Sequence, residues 1–200
     1  MTLIHRGRPP TSSREILQDA AFELFLENSY PKTTVDQIAQ RAGVSRATFF
    51  NYFPTKSDVF WVELDEALEL LAKTLQQGST ERHASDGLQE LRTSLLGVAS
   101  QMGADRVPFA LTQGELLGST SDLQASALGR FGAIATLMTE FLESHNMPLA
   151  AARAAAYACL AASVSAAREW AEAGTSRQGL QAYMIAAIDP VVKGFRANAN

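Results

Sequence analysis

The chain has 200 residues, 46% of them hydrophobic and 19% charged, a balance that suits a globular protein with one large core or two smaller ones. Its single cysteine, Cys159, excludes an internal disulfide and a multi-thiolate metal site and suits a reducing compartment. The net charge of −4 argues against a nucleic-acid binder until its distribution is read: residues 1–58 hold seven Lys/Arg against six Asp/Glu, and residues 59–200 hold ten against fifteen.

Residues 1–11 include Arg6-Gly7-Arg8-Pro9-Pro10 and no apolar period. They read as a flexible basic arm, either a minor-groove extension or a charged chain start without a role. No apolar stretch follows these basic residues, so no signal peptide is expected. Helix 1 is predicted from Ser12 or Ser13 to about Glu27: Ser12 and Glu15 have capping-box spacing, and Ile16, Leu17, Ala20, Ala21, Leu24 and Phe25 form one apolar stripe. Glu15, Asp19, Glu23 and Glu27 recur every fourth position and can face away from a polyanion. Thr34 and Gln37 predict a second capping box, followed by Val35, Ile38, Ala39 and Ala42 on one face of a short helix. Gly43 tolerates positive φ at a tight turn, Val44 plugs the corner, and Ser45 caps a third helix from Arg46 to Tyr52. Phe49 and Phe53 point to the core. The other face keeps Arg46, Ala47, Thr48, Phe50, Asn51 and Tyr52. A short helix with cationic, hydroxyl, amide and aromatic groups on its free face suits a DNA major groove.

This stretch resembles the DNA-binding domain of the TetR (tetracycline-repressor-like) family. Thr33-Thr34, Ile38-Ala39, Ala42-Gly43-Val44-Ser45, Tyr52-Phe53 and Lys56 stand in the family's order, and Ala20-Ala21 with Leu24-Phe25 fit its upstream helix. The match covers residues 12–62. The resemblance implies that Thr34, Arg46, Ala47, Thr48, Phe50, Asn51, Tyr52 and Lys56 approach DNA. Tyr52 and Lys56 would meet phosphates. Phe50 departs from the family's more usual Tyr, exchanging a hydroxyl contact for an apolar one that suits a thymine methyl.

After Pro54, helix 4 is predicted from Thr55 or Ser57 to about Gln77, long enough to leave a first domain and enter a second. Residues 78–87 read as a loop. Helices follow at about 87–103, 107–118, 122–144, 149–173 and 176–197, with Gly174 at a helix C′ position and Pro190 kinking the last helix or marking its terminal turn. The expected fold is all-α, with about nine helices: a basic arm at 1–11, a three-helix helix-turn-helix domain at 12–58, and a six-helix ligand-binding and dimerisation domain at 59–200.

Leu149 to Ala167 is apolar but mostly alanine and contains Arg153, so close helix packing is favoured over a membrane span. Thirteen alanines in residues 150–173 predict a homodimer through the last two helices, which also gives two half-sites for a pseudo-palindromic DNA operator. Trp61, Met102, Phe109, Gln113, Phe131, Met138 and Trp170 are candidates to line an effector pocket; large apolar residues at helical spacing are also ordinary core, and the family resemblance tips the reading towards a pocket for a small, largely apolar molecule. Nothing points to an enzyme, a cofactor or a metal: His5, His83 and His145 are scattered, and neither a phosphate loop nor a paired-carboxylate motif occurs. The expected function is a cytoplasmic, sequence-specific transcriptional regulator, a repressor released by its effector. The alternatives are an architectural DNA binder and an all-helical enzyme.

Overall fold

The structure, a computed structural model, describes residues 13–78, 86–103, 107–112 and 120–197, and every regular element among them is helical. Its contacts divide the chain into two compact units that meet in sequence at Phe60 and Trp61.

The first unit holds α1 (Ser13–Asn28), α2 (Val35–Arg41) and α3 (Arg46–Tyr52). The apolar stripe of α1 is buried at Leu17, Ala20, Ala21, Leu24 and Phe25, while Ile16 stays exposed at its edge. Phe25 stacks on Phe60 with ring centroids 5.1 Å apart, and Tyr30 meets Phe25 at 5.0 Å. Such aromatic contacts add stability beyond the area they bury. Buried Thr33 donates from Oγ1 to the carbonyls of Leu24 and Ser29, closing the turn between α1 and α2. Ser29 stands at φ 70°, a left-handed stop for α1 that the sequence pattern did not announce. A 3-10 segment, Lys56–Trp61, follows α3. It stands where a continuous helix 4 was expected, so α4 (Val62–Gly78) begins later and lies within the second unit.

The second unit contains α4, α5 (Gly87–Ser100), α6 (Phe109–Thr112), α7 (Ser121–Ser144), α8 (Leu149–Glu172) and α9 (Leu180–Ala197). Helix α8 packs against both α7 and α9, and α5 lies against α4, α7 and α9. Their shared core runs through Leu71, Leu91, Leu142, Ala155, Cys159, Trp170 and Ile188. Ion pairs fasten the helices in twos: Arg92 of α5 to Asp189 of α9 at 2.6 Å, and Arg130 of α7 to Asp65 of α4 at 2.7 Å. Gly174 takes φ 62° after α8, as its C′ position required. Pro190 sits inside α9, which continues to Ala197. Among the described residues α8 is the one helix long and apolar enough to cross a membrane. Here Ala152, Ala155, Ala156, Cys159, Ala166 and Trp170 are buried within the unit.

Candidate nucleic-acid interface

The geometry begins with two caps. Thr34 Oγ1 accepts from the Gln37 backbone N–H at 3.2 Å, and the Thr34 N–H donates to Gln37 Oε1 at 2.8 Å, which completes the capping box. Gly43 stands at φ 71° and turns the chain. Ser45 Oγ accepts from the Thr48 N–H at 3.0 Å and starts α3. These caps fix where α2 and α3 begin. Phe49 and Phe53 are fully buried beneath α3, and Ile38 and Ala39 beneath α2.

This packing turns the remaining residues of α3 outward. Arg46, Ala47, Phe50, Asn51 and Tyr52 are exposed, and Thr48 is half-buried. Asn51 and the Tyr52 hydroxyl are open to a ligand. Thr48 Oγ1 lies 2.9 Å from Ser45 Oγ, so its hydroxyl is engaged in the cap. Arg46 Nη1 donates to Asp36 Oδ2 at 2.7 Å, and its guanidinium carbon lies 5.4 Å from the Phe50 ring centroid. Thr34 is exposed at the start of α2, its side chain bound into the capping box. Lys56 is placed differently from a free surface cation. It is half-buried, its Nζ donates to the carbonyls of Tyr30 at 2.8 Å and Thr33 at 2.9 Å, and it sits 4.0 Å from the Tyr30 ring centroid. Arg14 lies 6.0 Å from the Phe53 ring centroid. Arg6 and Arg8 of the basic arm, and Ser12 of the first predicted capping box, lie outside the described residues.

Two features of this surface were not legible in the sequence pattern. Asp36 is one. The other is Arg41, which donates to Glu27 at 2.7 Å and to Glu23 at 3.1 Å. Half of the acidic stripe of α1 therefore braces α2. Its hydrogen bond from Arg41 holds the Glu27 carboxyl below its ordinary range, and the two carboxylates raise Arg41 in turn. The partners lie 14 and 18 residues apart on two different helices, so no period within one helix links them.

The residues expected to line an effector pocket fall into separate environments. Met138 and Trp170 belong to the central core of the second unit, where the Trp170 indole donates to the Gln178 carbonyl at 2.9 Å. Met102 and Phe131 pack at the edge of that core, and Phe109 is half-buried at the start of α6. Gln113 lies outside the described residues, as do the neighbouring Gly114 and Glu115. Trp61 is buried, and among the described residues its Nε1–H has no acceptor. Arg130 lies 5.4 Å from the Trp61 ring centroid, with its guanidinium donating to both carboxylate oxygens of Asp65. A cavity of about 650 Å³ elsewhere in this unit is lined by Leu88, Leu142, His145, Met147 and Phe195 among others, and by none of the seven expected residues. Burial pushes the Cys159 thiol up to about 11, which leaves it a core group without nucleophilic character near neutral pH.

Comparison with known proteins agrees with this geometry. Residues 17–60 match the family described as bacterial regulatory proteins, tetR family, and residues 86–196 match the MftR C-terminal domain. Among solved structures, FadR of Thermus thermophilus, a TetR-family transcriptional repressor in complex with lauroyl-CoA, superposes with a TM-score of 0.58 at 24% identity, over 90% of this chain and 94% of that one. The fatty acid degradation regulator FadR of Bacillus halodurans gives 0.61 at 21% identity, over 96% and 99%. The complex of SmeT with triclosan gives 0.60 at 19% identity, over 92% and 91%; SmeT represses a multidrug efflux pump of Stenotrophomonas maltophilia. At such identities these likenesses establish the fold.

Proposed function

This chain belongs to the tetR family of bacterial regulatory proteins, and from that premise we propose that it is a cytoplasmic, homodimeric repressor that leaves its operator when a small, largely apolar effector binds the second unit. The observation that carries the reading is the outward face of α3, where Arg46, Ala47, Phe50, Asn51 and Tyr52 stand exposed on a helix pair fixed by its own caps. Arg and Asn are the residue types that pair bidentately with guanine and adenine edges. The same reading assigns Thr34 and Tyr52 to the rim of the interface, where contacts position rather than specify; Thr48 stands with Asn51 for a base edge or a thymine methyl, and Lys56, tied to the carbonyls of Tyr30 and Thr33, holds the turn between α1 and α2.

Two further observations support the rest of the proposal. On α8, Ala154, Tyr157 and Ala161 are exposed along one face, and on α9 Ala182, Ile185 and Ala186 do the same. A face of small and apolar side chains on adjacent helices suits a two-fold four-helix contact with a second copy. In the effector region, the buried indole N–H of Trp61 lacks an acceptor among the described residues. An unpaired buried donor is unfavourable, and an effector that supplies an acceptor relieves it. Lauroyl-CoA and triclosan, the ligands held by the structurally similar FadR and SmeT, both join an apolar body to polar atoms and serve as first probes. The effector must bind the DNA-released state better than the DNA-bound one, since equal affinity shifts nothing.

The test takes duplexes enriched from a randomised pool and measures their affinity for the protein with and without each probe. A working effector at about 100 times its dissociation constant adds about 2.7 kcal/mol of stability and lowers operator affinity. Equal affinity for enriched and random duplexes would overturn the regulator reading in favour of an architectural one. A probe that stabilises the fold and leaves operator affinity unchanged would overturn the release mechanism.

A further inference from the structure

We propose that Asp36 is a specificity-determining residue, which together with Phe50 holds Arg46 ready to read a guanine. The proposal rests on the reading that α3 faces DNA.

Arg46 is exposed, with 59% of its side chain open to solvent, yet it is constrained from two sides. Its Nη1 donates to Asp36 Oδ2 at 2.7 Å, and its guanidinium lies over the Phe50 ring at 5.4 Å. Asp36 is equally open, at 64%. Exposed ion pairs contribute little to folding, and the two helices are already fixed by the capping box, the Ser45 cap and the buried Ile38, Ala39 and Phe49. Fold stability therefore gives no reason for the pair.

Recognition does. A guanidinium carries five N–H groups in a rigid fork. Asp36 engages Nη1 alone, and among the described residues the Nε–Nη2 edge has no partner. That edge is the one able to span O6 and N7 of guanine. The ring of Phe50 fixes the plane of the fork, a task for an aromatic face that needs no hydroxyl. This accounts for phenylalanine at a position where the family resemblance suggested tyrosine. Ordering a long exposed side chain opposes binding, and here the ordering precedes it. The Asp36 carboxylate also faces the polyanion that α3 approaches. It repels phosphate oxygens on every sequence, and the repulsion is offset where Arg46 meets a guanine. Asp36 thus lowers general affinity and raises discrimination, which is how an unfavourable charge contributes to specificity.

The experiment uses the full-length protein and 30-base-pair duplexes that the wild type enriches from a randomised pool. The guanine position is the one whose preference disappears in Arg46→Ala. At that position Asp36→Asn is expected to reduce the preference for guanine over adenine about three- to fivefold, and to raise affinity for a random duplex by a similar factor. Phe50→Leu is expected to reduce the guanine preference without raising random affinity. In the Arg46→Ala background, Asp36→Asn should no longer alter base preference, although it still raises random affinity. Unchanged helical circular dichroism in each variant separates these effects from misfolding. An unaltered guanine-to-adenine ratio in Asp36→Asn, or an equal change with and without Arg46, overturns the inference and leaves the DNA reading intact. A wild type that enriches no sequence overturns the DNA reading and the inference with it.

Discussion

Lys56 offers the sharpest test of the structural reading, because the family resemblance and the structure give it different work. The resemblance places it on a phosphate; the structure ties its ammonium to the carbonyls of Tyr30 and Thr33 and to the Tyr30 ring. In Lys56→Met two hydrogen bonds from a charged donor disappear. Each such bond contributes about 1.5–3 kcal/mol when well shielded, and the ring contact about 0.5–1 kcal/mol. Lys56 is half-buried, so water replaces part of what is lost, and the expected net destabilisation of the first unit is about 2 kcal/mol. That corresponds to roughly thirtyfold faster amide exchange at positions that open through unfolding of this unit. Hydrogen exchange read by mass spectrometry on the whole chain measures it, with peptides from α7 as the internal control. The salt dependence of DNA binding is measured on the same variant. Unchanged exchange in α1 and α2 together with a salt slope reduced by about one would show Lys56 to be a free phosphate ligand and refute the reasoning.

The other expectations follow from burial, exposure and charge. Phe49→Ala removes a fully buried ring beneath α3 and should destabilise the first unit by about 3–5 kcal/mol, seen as an earlier urea transition and loss of duplex binding. Ala161→Glu places a charge on the exposed face of α8 and should convert dimer to monomer in sedimentation without loss of helix; Ala162 is a poorer site because it packs against the core, and a wild type that is monomeric at micromolar concentration rules the dimer out. The hydrogen bond from Arg92 lowers Asp189 below its ordinary 3.8. The folded state therefore binds fewer protons than the unfolded one, and the contribution of this carboxylate is complete above about pH 4 and lost as pH falls through its folded value. Asp189→Asn should flatten that acid limb in a series of denaturation curves; an identical slope below pH 4 would assign the acid sensitivity to other groups.

Local chemistry made much of the first unit readable. Capping demands a side-chain oxygen at one position and a reciprocal amide three residues on, so Thr34 and Gln37 announce α2 by themselves. A tight turn demands positive φ, so Gly43 marks it. Phe49 and Phe53 are four apart on a helix whose other face is polar, and the burial of both follows from the helical period. In the second unit the same period located α5, α7, α8 and α9. It misplaced the start of α4, because a 3-10 segment and an α-helix share their apolar residues over one or two turns and differ in how the chain closes its hydrogen bonds.

Contacts between elements were a different matter. No spacing rule joins Arg46 to Asp36, Arg41 to Glu23 and Glu27, or Lys56 to the carbonyls of Tyr30 and Thr33; each pairing arises from the angle at which two helices meet. The same holds for the large apolar side chains of the second unit. Sequence gives Trp61, Met138 and Trp170 one label, bulky and apolar. Packing separates them, satisfying the indole N–H of Trp170 with the Gln178 carbonyl, enclosing Met138 in the core, and leaving the indole N–H of Trp61 without an acceptor among the described residues. The sequence alone determined most of the helices, the caps of α2 and α3, and the family, because those depend on interactions within a few residues along the chain. Which charges are already paired, and which buried donor lacks a partner among the described residues, was decided by the tertiary structure, because those depend on distances between residues that the chain order does not contain.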